Sequence, residues 1–259
     1  MKEQAQTQVA ALRELADTVV ACRRCPRLIR HIQDVARTKR RAYRDWEYWG
    51  RPVPSFGDPL ARLLIVGLAP AAHGANRTGR MFTGDSSGDW LYRALYRAGF
   101  ANQPTSTHRD DGLRLIDAYI TASCHCAPPD NRPTREEILN CGTFLARELE
   151  VMRTVRVIVC LGQIAFDNVL RLMKERGYGW PVEVTGEPGD AGDGAARAGR
   201  PRKPRFRHGG EYRWLEAPGN DRRPPVLLAS YHPSRQNTNT GVLTEAMFDA
   251  IFRRARELI

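Results

Sequence analysis

Five of the six cysteines in the chain have the spacing of potential metal ligands. Cys22 and Cys25 form a C-x-x-C pair, in which two thiolates on one tight turn can bind the same ion or cluster. Cys124 and Cys126 form a C-x-C pair, and Cys141 follows on a helical pattern. This spacing predicts a metal site. It leaves open whether the metal is zinc or an iron–sulfur cluster, which member of the C-x-C pair takes part, and whether Cys141 is a ligand or a core residue.

The sixth cysteine, Cys160, lies in the apolar run VIVCLG and is typical of an inert core residue. The N-terminal segment has acidic residues and lacks a signal-like apolar block, so a cytoplasmic protein is expected. A reducing cytosol disfavours disulfides, which makes metal coordination the better use for the other cysteines.

A glycine- and alanine-rich loop, GLAPAAHGANRTGRMFTGD at residues 67–85, directly follows the apolar run RLLIVG. Its position after a strand is similar to that of a phosphate-binding loop. It has neither a Gly-Lys-Ser/Thr ending nor a G-x-G-x-x-G pattern, however. Its start carries no acidic residue, and its polar side chains, including His73, Asn76 and Asp85, are scattered through the rest.

The chain contains four short apolar runs, and the elements they form must position the cysteines and the glycine-rich loop. They are rich in β-branched residues and nearly continuous, which is typical of buried parallel strands joined by crossover helices. The runs span residues 62–67, 117–122, 155–162 and 225–231. An α/β layered domain is therefore predicted.

Helical periodicity accompanies the strands. Helices are predicted over residues 4–21, 88–98, 135–152, 163–176 and 242–258. The third begins with a capping box, in which Thr134 caps the helix and Glu137 reaches back.

The chain is strongly basic, with 40 Lys and Arg against 29 Asp and Glu, a formal charge of +11 and a pI near 9.8. Such an excess favours a polyanionic partner, most often nucleic acid. Residues 30–51 mix cations with aromatics, which indicates either a surface that contacts a nucleic-acid backbone or a solvated helix or loop. No apolar stretch reaches the roughly 18–20 residues that cross a membrane, so no membrane partner is expected.

The length of 259 residues fits a single domain over residues 1–259. Its N-terminal segment, residues 1–51, carries the first helix and the first cysteine pair. Residues 186–210 are Gly-, Ala- and Asp-rich at first and then basic, which predicts a flexible insertion or a plain solvated loop.

Three motifs at strand ends, in the right order, resemble those of the uracil-DNA glycosylase superfamily, specifically family 5, the type B enzymes of bacteria and archaea. They are the 67–85 loop, CAPPDNRPT at 126–134 and YHPSRQNTNTG at 231–241, with RKPRFRHG at 202–209 as a fourth stretch. The resemblance implies a three-layer α/β/α sandwich around a four-stranded parallel sheet. It also implies a monofunctional, monomeric glycosylase that removes uracil, and other deaminated bases such as hypoxanthine, from double-stranded DNA and leaves an abasic site.

The same resemblance implies a [4Fe–4S] cluster bound by Cys22, Cys25, Cys126 and Cys141, which leaves Cys124 spare. Its expected role is structural: the cluster would hold the N-terminal helix and the basic region near the DNA.

A flipped-out base needs a stacking partner, donors for its carbonyls and stabilisation of the departing anion. By motif position, Phe82 is expected to stack on the base and His232 to donate a hydrogen bond to uracil O2. The backbone N–H groups of Gly67, Ala69 and Ala71 are expected to face the base or the attacking water.

Two positions depart from the pattern of the better-known relatives. Ala69 stands where they have a water-positioning aspartate or asparagine, so Asn76 or Asp85 could orient water instead, or each could be a turn residue. The position that matches the uracil-reading asparagine of family 4 falls near Ala122. Ser123 or Thr121 could therefore contribute to base recognition in its place.

Two other functions fit less of the sequence. A non-catalytic iron–sulfur protein that binds damaged DNA agrees with the two alanines and the positive charge. A nucleotide-phosphate enzyme agrees with the glycine-rich loop, but the missing Lys-Ser/Thr ending counts against it.

Overall fold

The four predicted apolar runs form the centre of one mixed sheet in the computed structural model, which describes residues 2–184, 202–215 and 223–259. In these ranges the strands are β1 (Phe56–Gly57), β2 (Leu63–Gly67), β3 (Ala118–Ala122), β4 (Val157–Leu161), β5 (Val182–Glu183), β6 (Glu211–Arg213) and β7 (Val226–Ser230). The adjacent strands β3, β2, β4 and β7 are parallel. The predicted parallel core is confirmed.

The sheet of the described chain has seven strands in the order β1-β3-β2-β4-β7-β6-β5, so the predicted count of four is corrected. The three additional strands pair antiparallel at the two edges. They are only two or three residues long. A segment this short cannot display the apolar alternation from which a strand is recognised.

Helices cover both faces of this sheet. They are α1 (Lys2–Ala21), α2 (Pro26–Thr38), α3 (Ala75–Thr78), α4 (Ser86–Arg97), α5 (Arg135–Val151), α6 (Gln163–Glu175), α7 (Arg235–Asn239) and α8 (Glu245–Leu258). In β2, Leu63 and Ile65 pack towards the side of α4 and α8, whereas Leu64 and Val66 pack towards α5 and α6. Because alternate residues enter two different cores, both faces of the strand must be apolar. The three-layer α/β/α arrangement is confirmed.

The predicted capping box of α5 is present. The Thr134 hydroxyl accepts from the Glu137 N–H, and the Glu137 carboxylate accepts from the Thr134 N–H at 2.7 Å. Glu137 also accepts both hydrogen bonds of a bidentate ion pair with Arg27, at 2.8 and 2.7 Å. This pair ties the start of α2 to the start of α5, and the hydrogen bonds from Arg27 lower the pKa of Glu137.

The basic half of the predicted insertion is packed, in contrast to the prediction of flexibility. Phe206 contacts the buried ring of Phe166 edge-on at a centroid distance of 5.7 Å. The Gly209 N–H donates to the Ala229 carbonyl oxygen, and Lys203 pairs with Asp167 at 2.6 Å. Residues 202–210 therefore belong to the folded domain. Residues 186–201 lie outside the described residues.

The aromatic part of the 30–51 segment folds back onto the glycine-rich loop. The Arg77 guanidinium lies 4.0 Å from the ring centroids of both Tyr43 and Trp46. This cation–π stack holds the segment beside the carboxyl ends of the parallel strands. In the described part of the chain, no helix combines the length and apolar character that crossing a bilayer requires.

Candidate active site

A cavity of about 760 Å³ opens at the carboxyl ends of the parallel strands. Loops of an open α/β sheet meet at this edge, which is where such folds bind ligands. The cavity is lined mainly by residues 68–74 after β2, 81–87 before and into α4, 130–132 of the next motif and 232–236 after β7, with Arg40 and Tyr43 at one side. All three motifs singled out in the sequence contribute to its wall.

His232 and Phe82, the predicted anion-stabilising and stacking residues, lie side by side on the cavity wall. Their ring centroids are 6.0 Å apart with an interplanar angle of 30°. The Asn237 side chain donates to the His232 carbonyl oxygen at 2.9 Å and so fixes the backbone that carries the imidazole. The surrounding protein lowers the pKa of His232 to about 4 by desolvation, so at neutral pH it is a neutral hydrogen-bond donor and acceptor.

The ring of Phe82 rests on the end of β2. A Cβ atom at Gly67 would lie 2.8 Å from Cε2 and Cζ of that ring, so only glycine leaves it room. Phe82 also has a left-handed backbone, with φ of 52°, which a non-glycine residue adopts only where its surroundings enforce it. Gly67 was predicted to contact the substrate. The structure places it under Phe82 instead, outside the cavity lining.

A buried polar network enforces this loop conformation. Arg80 is 3% exposed and forms a bidentate ion pair with Asp111, at 2.9 and 2.8 Å. Arg80 also donates to the Thr83 hydroxyl, which shares a hydrogen bond with Ser106 at 2.7 Å. The Tyr92 hydroxyl donates to the Met81 carbonyl oxygen at 2.7 Å. Residues on both sides of Phe82 are thus held from within the core, which preorganises the ring.

Replacing Gly88 with alanine is expected to displace Phe82. A Cβ atom there would lie 1.7 Å from the Phe82 carbonyl oxygen, a backbone atom that cannot swing aside. We expect a loss of about 1–3 kcal/mol in the free energy of unfolding, as for overpacked cores, and a several-fold lower kcat. Denaturant titration and turnover assays measure the two effects.

Gly142 in α5 is the matched control. Its added Cβ would crowd Nη2 of Arg171, the end of a long side chain, at 2.6 Å, and would lie at an ordinary contact distance of 3.8 Å from Arg171 Cζ and Asn168 Oδ1. Gly142→Ala should therefore be neutral or gain up to about 1 kcal/mol from helix propensity. If Gly88→Ala were equally harmless, Phe82 would not be held by this contact.

Asp85 also lines the cavity. Its Oδ1 accepts from the Gly88 N–H at 3.0 Å and caps α4, which is the turn role considered for it. Burial raises the pKa of this carboxyl. Capping does not remove Asp85 from the cavity, so its role in orienting water stays a prediction.

Asn76 lies outside the cavity, in contrast to its predicted catalytic role. It is fully buried, and its amide donates to the carbonyl oxygens of Ile32 and Ala72 at 3.2 and 3.3 Å. These bonds join α2 to the glycine-rich loop, so the geometry favours an anchoring role.

Ser123 and Thr121 do not line the cavity either. The Ser123 N–H donates to the Gly67 carbonyl oxygen at 2.9 Å, and its hydroxyl is buried. Thr121 faces the other core, where it accepts from Ser55 at 2.9 Å. The predicted contact of Ser123 with a base is therefore corrected to a backbone link between β2 and β3. Ala69 and Ala71 do lie on the cavity wall, as predicted.

Several cavity residues were not predicted as site residues. Arg40, Arg132 and Arg235 give the wall a basic character, and Asp130 and Asn131 both adopt left-handed backbone conformations there. Residues 130–132 and 235 belong to the motifs at 126–134 and 231–241. Membership of these motifs could therefore have identified them as site residues. Arg40 lies outside these motifs, in the basic and aromatic segment 30–51 that the sequence indicated as a possible nucleic-acid surface.

The four cysteines of the predicted metal set surround a second, small cavity. Cys22, Cys25, Cys126 and Cys141 all line it, whereas Cys124 is fully buried beside it. The His125 N–H donates to Sγ of Cys141 at 3.3 Å, and the Asn140 amide lies 3.9 Å from Sγ of Cys25. In the described ranges, no three His, Cys, Asp or Glu side chains are close enough to bind a single metal ion.

The electrostatics of this cavity disfavour free thiolates on Cys25 and Cys126, whereas the hydrogen bond with Cys124 lowers the pKa of Cys141. Burial raises the pKa of Cys126, and negative charge on Cys141, Cys22 and Cys25 raises it further. Burial likewise raises the pKa of Cys25. Four thiolates gathered here would repel one another unless a positive group lay between them.

Comparisons with known proteins agree with this geometry. The family model described as "Uracil DNA glycosylase superfamily" matches residues 54–256. A type-5 uracil-DNA glycosylase of Mycobacterium leprae is 48% identical over 246 residues, covering 95% of this chain and 94% of that protein. Type-5 enzymes of Thermus thermophilus and Pyrobaculum aerophilum are 45% and 43% identical, covering 93% of this chain and 95% and 91% of theirs.

Proposed function

This chain belongs to the uracil-DNA glycosylase superfamily, and on that premise we propose that it is a type-5 enzyme that hydrolyses the N-glycosidic bond of uracil in DNA. The observation that most directly supports this proposal is that Phe82 and His232 lie side by side on one cavity wall at the ends of the parallel strands. A ring for stacking and a donor for an anion are what removal of a flipped base requires.

Bond cleavage leaves the electron pair on N1 of uracil and positive charge on the sugar. The negative charge on the base spreads to O2, where neutral His232 donates a hydrogen bond. Because the imidazole is already held in a desolvated wall, little reorganisation accompanies this stabilisation. Phe82 keeps the base in the cavity while the bond lengthens.

Water then adds to C1′ of the sugar and loses a proton, which neutralises the departing uracil anion, and an abasic site is left. Asp85 is the carboxyl group on the cavity wall whose pKa burial raises. We assign the orientation of this water to Asp85. A strong general base is not required when the bond breaks dissociatively.

The substrate range should extend beyond uracil to other deaminated bases such as hypoxanthine. Ala69 and Ala71, at the start of the loop, line the cavity, and their methyl side chains cannot hydrogen-bond to a base. Neither Ser123 nor Ala122 lines it, so neither position supplies a side chain that reads the base. A cavity without that readout discriminates weakly between bases.

Double-stranded DNA is the proposed form of the substrate. Arg40, Arg132 and Arg235 lie around the cavity, and the whole chain carries a formal charge of +11. Cations around a base pocket bind the phosphates that flank a flipped nucleotide.

A [4Fe–4S] cluster held by Cys22, Cys25, Cys126 and Cys141 is the proposed cofactor. All four side chains line one cavity, and four cysteine thiolates are the ligand set of such a cluster. Bound there, the cluster would supply the positive charge that four converging thiolates need. Its role is structural, because it would join the end of α1, the start of α2 and α5.

The test is a panel of duplexes with a single uracil, hypoxanthine, xanthine or ethenocytosine, incubated with the protein and then with alkali. Uracil duplexes should break at the abasic site, whereas undamaged duplexes should stay intact. Binding of the uracil duplex without breakage would favour a non-catalytic protein that binds damaged DNA. Failure to break or bind any of the duplexes would contradict the proposed function.

A further inference from the structure

His73 lies in the middle of the glycine-rich loop and has no part in the chemistry described above. It lines the same cavity as Phe82 and His232 and is partly exposed to it. A second side chain hydrogen-bonds to its ring and fixes the ring's orientation.

That side chain is Tyr48, whose hydroxyl lies 3.0 Å from Nδ1 of His73. The Arg40 N–H donates to the same hydroxyl at 3.4 Å. Tyr48 is only 8% exposed, so its own proton needs an acceptor within the protein. Nδ1 of His73 is that acceptor, since the reverse assignment would leave the phenol proton without a partner.

This chain of donors sets the tautomer of His73. If Nδ1 accepts, the proton of the neutral ring must be on Nε2. In the described part of the chain Nε2 makes no hydrogen bond, and it is not among the buried orphan atoms. The ring therefore presents a fixed N–H donor towards the cavity.

The surroundings of His73 keep it neutral while favouring an anion nearby. Burial lowers the pKa of His73, and the positive charges of Arg40 and Arg77 lower it further. A neutral donor next to two cations is well suited to an anionic oxygen.

We propose that Nε2–H of His73 donates to a phosphate oxygen of the DNA strand from which the nucleotide is flipped, with Tyr48 as its positioning residue. This contact rests on the proposed function for its substrate. It would help to place the strand at the cavity without touching the base.

The experiment measures the binding of a duplex that contains a tetrahydrofuran abasic analogue, because this ligand keeps the phosphates and lacks the base. His73→Ala should weaken binding about 5–15-fold, the equivalent of one hydrogen bond. Tyr48→Phe, which frees the ring to rotate, should weaken it by a smaller factor. His73→Gln, which retains a donor, should recover part of the loss.

Salt dependence separates this role from that of a cation. Arg40→Gln should reduce the slope of log Kd against log salt concentration by about one, whereas His73→Ala should leave the slope unchanged. Unchanged affinity of His73→Ala for the abasic duplex would overturn the proposal. So would a loss found only with duplexes that retain the damaged base, which would indicate a base contact.

Failure of the proposed function would look different. Wild-type protein that leaves the uracil duplex intact contradicts glycosylase activity, whatever the variants do. Wild-type protein that excises uracil, together with normal binding by His73→Ala, contradicts only the phosphate contact.

Discussion

His232→Ala should lower kcat for uracil excision by about 10²–10³-fold, the range seen when one donor to a developing oxyanion is removed. The imidazole lies on the cavity wall 6.0 Å from the ring of Phe82, where negative charge would develop on the base. Single-turnover excision from a uracil duplex isolates this step from product release. The effect should appear in the rate at saturating protein rather than in the affinity for DNA.

The fold should be almost unaffected by the same change. The His232 ring has no hydrogen bond to any described residue; only its backbone oxygen accepts one, from Asn237. We expect a change in the free energy of unfolding within about 1 kcal/mol. His108→Ala is a suitable control, since His108 is exposed and does not line the cavity. If His232→Ala retained full activity, another group would have to stabilise the departing base.

The protonation of His232 leads to an expectation for the pH profile. Desolvation lowers its pKa to about 4, so the neutral form prevails at every pH well above that value. The rate should therefore show no step from this residue near pH 6.5, where an exposed histidine titrates. Because the pKa of His232 is lower in the folded state than in the unfolded chain, the residue makes folding pH-dependent. Its contribution to the free energy of unfolding is complete above about pH 6.5 and is lost as pH falls towards about 4.

The parallel core of the sheet could be predicted because short, continuous apolar runs rich in β-branched residues are typical of buried parallel strands. The edge strands could not, since β1 and β5 are two residues long and take their conformation from their neighbours. The basic stretch 202–210 appeared flexible from its composition, but Phe206 anchors it to the core. Local sequence does not reveal such tertiary contacts.

The candidate site, too, was predicted only in part. Phe82, His232, Ala69 and Ala71 line the cavity as predicted, because motif order placed them at strand ends. For Asn76 and Ser123 the motif gave the position along the chain but not the direction of the side chain, and both turn inward. The [4Fe–4S] cluster, the monomeric state and the cytoplasmic location stay predictions.

Cys126→Ser should abolish cluster binding, while Cys124→Ser should preserve it. The two residues are two positions apart and both are buried, but only Cys126 lines the cavity with Cys22, Cys25 and Cys141. Iron and acid-labile sulfide content and the brown absorbance of the purified protein are the readouts. Because serine is nearly isosteric with cysteine, the comparison separates loss of a ligand from loss of packing.

Loss of the cluster should also destabilise the N-terminal part of the domain. Without the cluster, the end of α1 and the starts of α2 and α5 would be joined by side-chain packing and by the Arg27–Glu137 pair between α2 and α5. We expect Cys126→Ser to lose more than about 3 kcal/mol, a part of the folding energy that structural metal sites supply, or about 6–12 °C in Tm. Cys124→Ser should lose about 1 kcal/mol, the cost of one altered buried contact.

Equal iron content in the two variants would contradict the four-cysteine assignment. Loss of iron with an unchanged Tm would contradict a structural role, because a cofactor that binds only the folded chain must add its binding energy to folding.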